Sequence, residues 1–173
     1  AFGISLYKDK LLFMRKEREG IVRQNYNRIE PNNDYLKYYR VVRGWAKAQY
    51  GLGTADLEML YFLHSEQVFK KENFKEYEQM MSWDKNRFQR LLREGWIQTW
   101  REGRRGQAAL YDISHKGRAV VNTIYRKLNG QEIAETQIGN PLFKTDVTYM
   151  RKIYRNAVRE MNKFIRQRRR RAL

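Results

Sequence analysis

"EGWIQTWREGRRGQAALYDISHKG", residues 94–117, is the stretch of sequence that decides the fold. Apolar and polar residues alternate over Trp96–Arg101, and Ala108–Ser114 is a similarly short run of residues suited to a β-strand. The residues between them, Glu102–Gln107, include two glycines, which suits the loop of a β-hairpin. Two consecutive arginines lie in the same loop. The stretch therefore predicts a two-stranded ribbon with positive charge at its tip.

Helical periodicity lies on both sides of this ribbon. Gly95 ends the preceding helix as a C′ glycine would. Thr54 is a predicted N-cap, and Ser82 and Asp84 are alternative caps for the helix that leads into the ribbon. The predicted helices are, in chain order, Ile4–Gln24, Tyr35–Tyr50, Thr54–Glu66, Asn73–Met81, Asp84–Glu94, His115–Asn129 and Asp146–Arg170. We therefore expect a mainly α fold with a small β-hairpin.

The composition favours a basic protein that can bury one core. Among 173 residues, 36 Lys and Arg against 19 Asp and Glu give a formal net charge of +17, which favours polyanionic partners. The chain has no cysteine, so disulfides and thiolate–zinc sites are excluded. It shows no apolar run long enough to span a bilayer and no signal-peptide core at its start. A cytoplasmic protein without a membrane partner is the expectation.

The helix Asp84–Glu94 has the chemistry of a DNA-reading helix in a helix–turn–helix. Phe88, Leu91 and Leu92 can face the core, which leaves a polar and basic face opposite them. Arginine pairs with guanine and an amide with adenine in the major groove, whereas lysine binds phosphate. The predicted base contacts are Asn86, Arg87, Gln89 and Arg90, and the predicted phosphate contacts are Lys85, Arg93 and Arg101. The alternative is a solvated basic helix face that touches no nucleic acid.

The arginines of the hairpin extend this hypothesis. Arg104 and Arg105 lie in the loop, where a ribbon can project them into the minor groove over narrow A·T stretches. The alternative is a charged turn without a partner. The basic helix is followed directly by the basic ribbon. This arrangement favours a shared nucleic-acid partner over two unrelated charged surfaces.

The run "KEYEQMMSWDKNRFQRLLREGWIQTWREGRRGQAALYDISHKGRAVV" resembles the DNA-binding core of the MarR-type winged-helix regulators. The similar parts are a recognition helix that ends in "LLREGWI", a hairpin with a basic wing, and a second strand that runs into "ISHKGRAVV". Ser114 and Gly117 stand where the family has its "LT-x-x-G" helix entry, with serine in place of the usual threonine. "REGRRGQ" departs from the family's Asp-x-Arg wing element, and Asp84 falls where many members bury an aliphatic residue.

This resemblance covers about residues 36–130 and implies a winged helix-turn-helix flanked by terminal dimerisation helices. It implies a homodimer that reads a pseudo-palindrome in double-stranded DNA. Many members of the family release DNA when they bind a small aromatic effector, but no residue pattern here identifies an effector pocket. The predicted organisation is an N-terminal helical arm over 1–33, a winged helix-turn-helix domain over 34–130, and a linker with a basic C-terminal helix over 131–173.

The predicted C-terminal helix has an apolar seam and a basic face. The spacing of three and four residues along the seam is typical of a helix–helix interface. Its predicted dimer-interface residues are Met150, Tyr154, Ala157, Met161 and Phe164, although the seam could equally pack on its own domain. The predicted basic tail, a clamp on phosphates without sequence preference, consists of Arg166, Arg168, Arg169, Arg170 and Arg171.

No motif for catalysis, a metal or a cofactor stands out in the sequence. Its histidines, His64 and His115, have no zinc-ligand spacing and no nucleophile–acid partners. We therefore predict that the protein is not an enzyme and has no cofactor. The leading hypothesis is a MarR-like transcriptional regulator in the cytoplasm. The alternative is a structural nucleoprotein or virus-particle component that uses the same fold for protein contacts or for non-specific nucleic-acid binding.

Overall fold

The structure, a computed structural model, describes residues 35–145 and 148–173. The predicted N-terminal helical arm over 1–33, with its helix Ile4–Gln24, and the predicted start of the last helix at Asp146 lie outside the described residues. The described chain is mainly helical, with a small three-stranded antiparallel sheet. This architecture confirms the mainly α fold at the coarse level.

Six helices and three strands make up the described chain. In chain order they are α1 (Tyr35–Tyr50), α2 (Thr54–Glu66), β1 (Val68–Lys70), α3 (Phe74–Tyr77), α4 (Lys85–Arg93), β2 (Ile97–Arg101), β3 (Leu110–Ile113), α5 (His115–Leu128) and α6 (Tyr149–Arg171). Short 3-10 turns precede two of the helices, Lys71–Asn73 before α3 and Pro141–Phe143 before α6. The predicted hairpin and the helices on both sides of it are therefore confirmed.

The sheet contains a strand, β1, that the sequence did not predict. The strand order is β1-β3-β2, with Val68 opposite Asp112 and Lys70 opposite Leu110. Only Phe69 of β1 is buried. A run of three residues is too short for a period of two to stand out, and its strand conformation depends on pairing with β3, which is distant in sequence.

Two predicted helix starts are corrected by the structure. The N-cap of α2 is Gly53 rather than Thr54, and the Asp56 carboxylate accepts a hydrogen bond from Gly53 N–H at 2.8 Å. The predicted helix Asn73–Met81 is α-helical only over Phe74–Tyr77. The chain turns after Tyr77 because Trp83 returns to stack on Phe74, with ring centroids 3.5 Å apart.

One hydrophobic core joins the sheet to the helices. Phe88 of α4 lies at its centre, with ring centroids 4.8 Å from Phe74 and 5.2 Å from Tyr111. Further buried side chains come from α2, α4 and α5, and they include Leu57, Leu60, Leu63, Leu91, Val121 and Ile124. Burial of this apolar surface fixes α4 against the sheet.

Helix α1 packs on both α5 and α6. Gly44 of α1 permits this contact, because a Cβ at that position would overlap the Tyr154 ring of α6. The stretch predicted as a linker between α5 and α6 is packed, since Ile133, Leu142 and Phe143 are buried. We call the described part of this stretch, residues 129–145, the connection. Asn162 of α6, which is fully buried, binds the connection to α6. Its side chain accepts from Ile133 N–H at 3.0 Å and donates to Ile133 C=O at 2.7 Å.

Candidate nucleic-acid interface

Helix α4 begins and ends at sharply defined residues. Of the two alternative caps, Asp84 is the one used, because its Oδ1 accepts a hydrogen bond from Asn86 N–H at 2.9 Å. The helix ends before Gly95, whose φ of +77° is the left-handed conformation that glycine favours. No acidic residue lies between these ends, apart from the C-cap Glu94. The helix therefore carries uncompensated positive charge within its own length.

The outward face of α4 combines two cations with two amides. Lys85, Asn86, Gln89 and Arg93 are exposed. The last three, together with Asp84, contribute to the lining of an open concavity of about 400 Å³. The face therefore offers amide groups that can both donate and accept, beside cations that can only donate. Such a combination can contact base edges and phosphates in one groove.

The structure places Arg87 and Arg90 differently from the sequence prediction. Both are half-buried and face Asp56 at the start of α2, with Arg90 Nη2 2.5 Å and Arg87 Nε 3.2 Å from Asp56 Oδ1. They were expected on the exposed face because periodicity alone does not reveal an acidic partner on another helix. As placed, their guanidinium groups join α4 to α2.

Asp56 is buried and ionised in this arrangement. Burial alone would raise the pKa of its carboxyl group, but hydrogen bonds from Arg90 and Gly53 N–H, with the charges of Arg90 and Arg87, lower it below the usual 3.8. The same pairing raises the pKa of Arg90. The pair therefore remains charged at neutral pH, and the guanidinium groups of Arg87 and Arg90 are paired with Asp56 although they remain partly exposed.

The hairpin tip presents the predicted arginines. Arg104 and Gln107 exchange backbone hydrogen bonds of 3.0 and 2.8 Å, which leaves Arg105 and Gly106 as the two residues of the turn. Gly106 has a φ of +80°, as such a turn requires. Arg101, Arg104 and Arg105 are all exposed. The tip therefore carries positive charge that is open to solvent.

An exposed tryptophan on the hairpin was not anticipated as a surface residue. Trp100 of β2 is 57% exposed, whereas Trp96 and Trp45 are buried. The alternation of the strand did place Trp96 and Trp100 on the same face, but the irregular register between Thr99 and Arg101 ends that pattern. Trp100 thus provides an aromatic ring close to the basic tip.

Backbone contacts fix the hairpin relative to α4. Trp96 N–H donates to Leu91 C=O of the helix at 2.9 Å, and Ser114 N–H donates to Trp96 C=O at 3.0 Å. The Ser114 hydroxyl donates to Gly95 C=O at 2.7 Å and accepts from Gly117 N–H at 3.1 Å. The helix, the hairpin and the start of α5 therefore meet at one hydrogen-bonded junction.

The predicted basic tail lies within α6, and two of its arginines have acidic partners. Arg166 contacts Glu132 at 2.8 Å and Glu135 at 2.9 Å, and Arg169 contacts Glu132 at 3.1 Å. A hydrogen bond from Asn162 and the Arg166 guanidinium lower the pKa of Glu135. Arg166 and Arg169 therefore serve first to hold α6 on the connection. The exposed arginines Arg168, Arg170 and Arg171 complete the tail.

The predicted dimer-interface residues of α6 separate into two groups. Met161 is fully buried in its own chain, so its expected place on a surface seam is wrong. Tyr154 is half-buried against α1, and Ala157 is also partly buried. Met150 is 51% and Phe164 39% exposed. The helix therefore uses most of its apolar seam for its own core, which is the alternative that the sequence left open.

Two kinds of site do not occur in the described part of the chain. Over residues 35–145 and 148–173, no three His, Asp or Glu side chains are grouped so that they could hold a metal ion. None of the described helices is both long and apolar enough to cross a bilayer.

No protein-family model, curated protein or solved structure matches this chain. The resemblance to the MarR-type regulators therefore stays a prediction that rests on the sequence pattern.

Proposed function

We propose that the chain binds double-stranded DNA through a winged helix-turn-helix in which α4 enters the major groove and the hairpin follows the neighbouring minor groove. The observation that carries this proposal is the exposed polar face of α4, joined by a hydrogen-bonded junction to a hairpin with a basic tip. The third strand, β1, supports it, because it ties the hairpin to the end of α2. A rigid support of this kind holds a reading surface in one geometry.

The contacts of α4 divide by chemistry. Asn86 and Gln89 contact base edges, since each amide can pair bidentately with adenine. Lys85 and Arg93 contact phosphates beside them. Arg87 and Arg90 add positive potential, while Asp56 holds their guanidinium groups in place. In this assignment the two amides alone contact bases, whereas the sequence prediction included Arg87 and Arg90 as well.

The hairpin contributes charge and one aromatic ring. Arg104 and Arg105 enter the minor groove, where narrow A·T stretches have enhanced negative potential. Arg101 contacts the backbone, and Trp100 packs against the sugar–phosphate edge. Because the tip is a two-residue turn, both loop arginines lie at the end of the ribbon.

The use that we propose for this binding is transcriptional regulation by a MarR-like homodimer, with exposed apolar side chains of α6 such as Met150 and Phe164 at the interface. A second candidate is a structural nucleoprotein or virion component. It is favoured by the pairing of Arg87 and Arg90 with Asp56, which removes two base-reading groups from α4. It is also favoured by α6, in which ten Lys and Arg accompany one Glu.

Selection from a random duplex pool tests the proposal and separates the two uses. The full chain is incubated with the pool at about 150 mM salt, where non-specific contacts are weakened. A dimeric regulator is expected to recover an inverted repeat with half-sites about one helical turn apart. Binding without an enriched motif would favour the structural nucleoprotein. Absence of duplex binding at low salt would reject the proposal.

Substitution of the two amides is expected to remove sequence discrimination. Asn86→Ala with Gln89→Ala should lower the preference for the recovered site by about 30-fold or more, because each of the two bidentate contacts supplies about 1–3 kcal/mol of discrimination. Lys85→Ala should instead weaken all duplexes equally. A matched control, Asn122→Ala with Gln131→Ala, removes two exposed amides outside the interface. Unchanged discrimination in the α4 double variant would show that the amides do not read bases.

A further inference from the structure

A second basic surface runs along α6. Four of its exposed cations are spaced by seven, four and seven residues: Lys152, Arg159, Lys163 and Arg170. At 3.6 residues per turn they point within about 40° of one another, and at 1.5 Å per residue they extend over about 27 Å. We call this set the cationic stripe. Its length corresponds to about eight base pairs of a duplex.

Different elements carry the cationic stripe and the candidate interface. Helix α6 packs mainly on α1 and the turn Pro141–Phe143, whereas α4 packs mainly on β2. The two basic surfaces therefore belong to different parts of the fold.

The acidic residues nearest to this end of α6 hold the stripe in place. Glu132 and Glu135 accept hydrogen bonds from Arg166 and Arg169, and Asn162 fixes the same connection from within the core. These bonds secure the last turns of α6 on the protein body. The cationic stripe is thus preorganised, which reduces the entropy that would be lost when it binds a polyanion.

We infer that the cationic stripe binds the phosphate backbone of a second nucleic-acid duplex, so that the protein bridges two duplexes. The inference of a second duplex rests on the proposed function, since α4 and the hairpin hold the first. The line is dominated by its four cations, with two exposed amides, Asn156 and Gln167, beside it, so its main contacts are to phosphates rather than to bases. The expected binding is therefore independent of sequence and sensitive to salt.

A membrane surface fits α6 less well than a duplex does. An interfacial helix buries its apolar face in lipid. The main apolar face of α6, with Val158, Met161 and Ile165, is buried in the protein core instead. The exposed apolar side chains Met150 and Ile153 point roughly 100° or more from the middle of the stripe. Lipid would therefore meet charge without the apolar contact that inserts such helices.

A two-duplex capture experiment tests the inference. The full chain is mixed with a biotinylated duplex on beads and a fluorescent duplex of unrelated random sequence, each of about 30 base pairs, or three helical turns. Fluorescence on the beads measures bridging. The stripe variant carries Lys152→Gln, Arg159→Gln, Lys163→Gln and Arg170→Gln. A control variant removes the same formal charge elsewhere with Arg40→Gln, Lys47→Gln, Lys70→Gln and Lys75→Gln.

The expected result is bridging by the unchanged protein and the control variant, with at least a roughly tenfold loss in the stripe variant. The stripe variant should still bind the bead-bound duplex through α4. Bridging that persists in the stripe variant would overturn the inference, and so would an absence of bridging by the unchanged protein. Vesicles rich in phosphatidylserine form a further arm, and their recruitment through the stripe while bridging is unaffected would assign the surface to lipid.

A variant of α4 distinguishes failure of the proposed function from failure of the bridging inference. Lys85→Ala, Asn86→Ala, Gln89→Ala and Arg93→Ala should abolish bridging and leave weak, sequence-independent binding of one duplex. If this variant binds and bridges as the unchanged protein does, the proposed function is wrong, whatever the stripe variant does.

Discussion

Replacement of Gly117 with alanine is expected to destabilise the protein by about 3 kcal/mol. Gly117 lies in the first turn of α5, where a Cβ would stand 2.6 Å from both the Trp96 carbonyl oxygen and Ile113 Cγ1. The clash with Trp96 cannot be relieved by a side-chain rotation, because it involves backbone. That carbonyl also accepts the hydrogen bond from Ser114 N–H. Alanine would therefore push apart the junction of α4, the hairpin and α5.

Urea unfolding followed by circular dichroism measures this effect. The matched control is Asn122→Ala, on the exposed side of the same helix, where alanine raises helix propensity without a contact. The control should be neutral or slightly stabilising. A Gly117→Ala protein as stable as the control would show that α5 can shift away from β2, and that the junction is not rigid.

Loss of the Asp56 carboxylate is expected to cost about 3 kcal/mol. Asp56→Ala would leave Arg87 and Arg90 without their acidic partner and would remove the acceptor for Gly53 N–H. This value lies at the lower end of the stability cost of breaking a buried ion pair, because both guanidinium groups are partly exposed and water can hydrate them. Thermal unfolding at neutral pH measures the loss.

Asp56→Asn separates the contribution of the ion pairs with Arg87 and Arg90 from that of the hydrogen bond with Gly53 N–H. The amide oxygen can still accept from Gly53 N–H, so this variant should lose only the part that comes from charge. The pKa of Asp56 is lowered in the folded protein, so its stabilising contribution is complete above the usual 3.8 and is lost as the pH falls through the lower folded value. Equal stabilities of the Asn variant and the unchanged protein at pH 7 would contradict the ionic role.

The parts of the fold that were predictable are those that local sequence determines. Asp84 and Gly95 delimit α4 through a side-chain cap and a left-handed backbone, both of which depend on neighbouring residues. The hairpin followed from alternation and from glycines in its loop. Strand β1 could not be predicted, because its three residues acquire their conformation from β3, whose paired residues lie 40 to 44 positions later in the chain.

The candidate site was predictable in its elements but not in its pairings. The helical period placed Arg87 and Arg90 opposite Phe88 and Leu91, and nothing local indicated that Asp56 would face them from α2. The same limit applies to α6. Its seam spacing fits a dimer and an internal core equally well, and only the position of α1 and of the connection decides that Met161 is internal. Sequence periodicity identifies an apolar face but not its partner.

The bond between Asn162 and Ile133 has a consequence for cooperativity. Because its ends lie 29 residues apart, this bond joins the connection to the middle of α6, and we expect the two to open together. Native-state hydrogen exchange should therefore show one shared opening free energy for the Ile133 amide and for the middle of α6, and Asn162→Ala should make the two unequal. Exchange of Ile133 well ahead of α6 in the unchanged protein would disprove this coupling. A shared opening free energy would make the basic helix and the connection one foldon, so that deletion of the helix would remove structure together with charge.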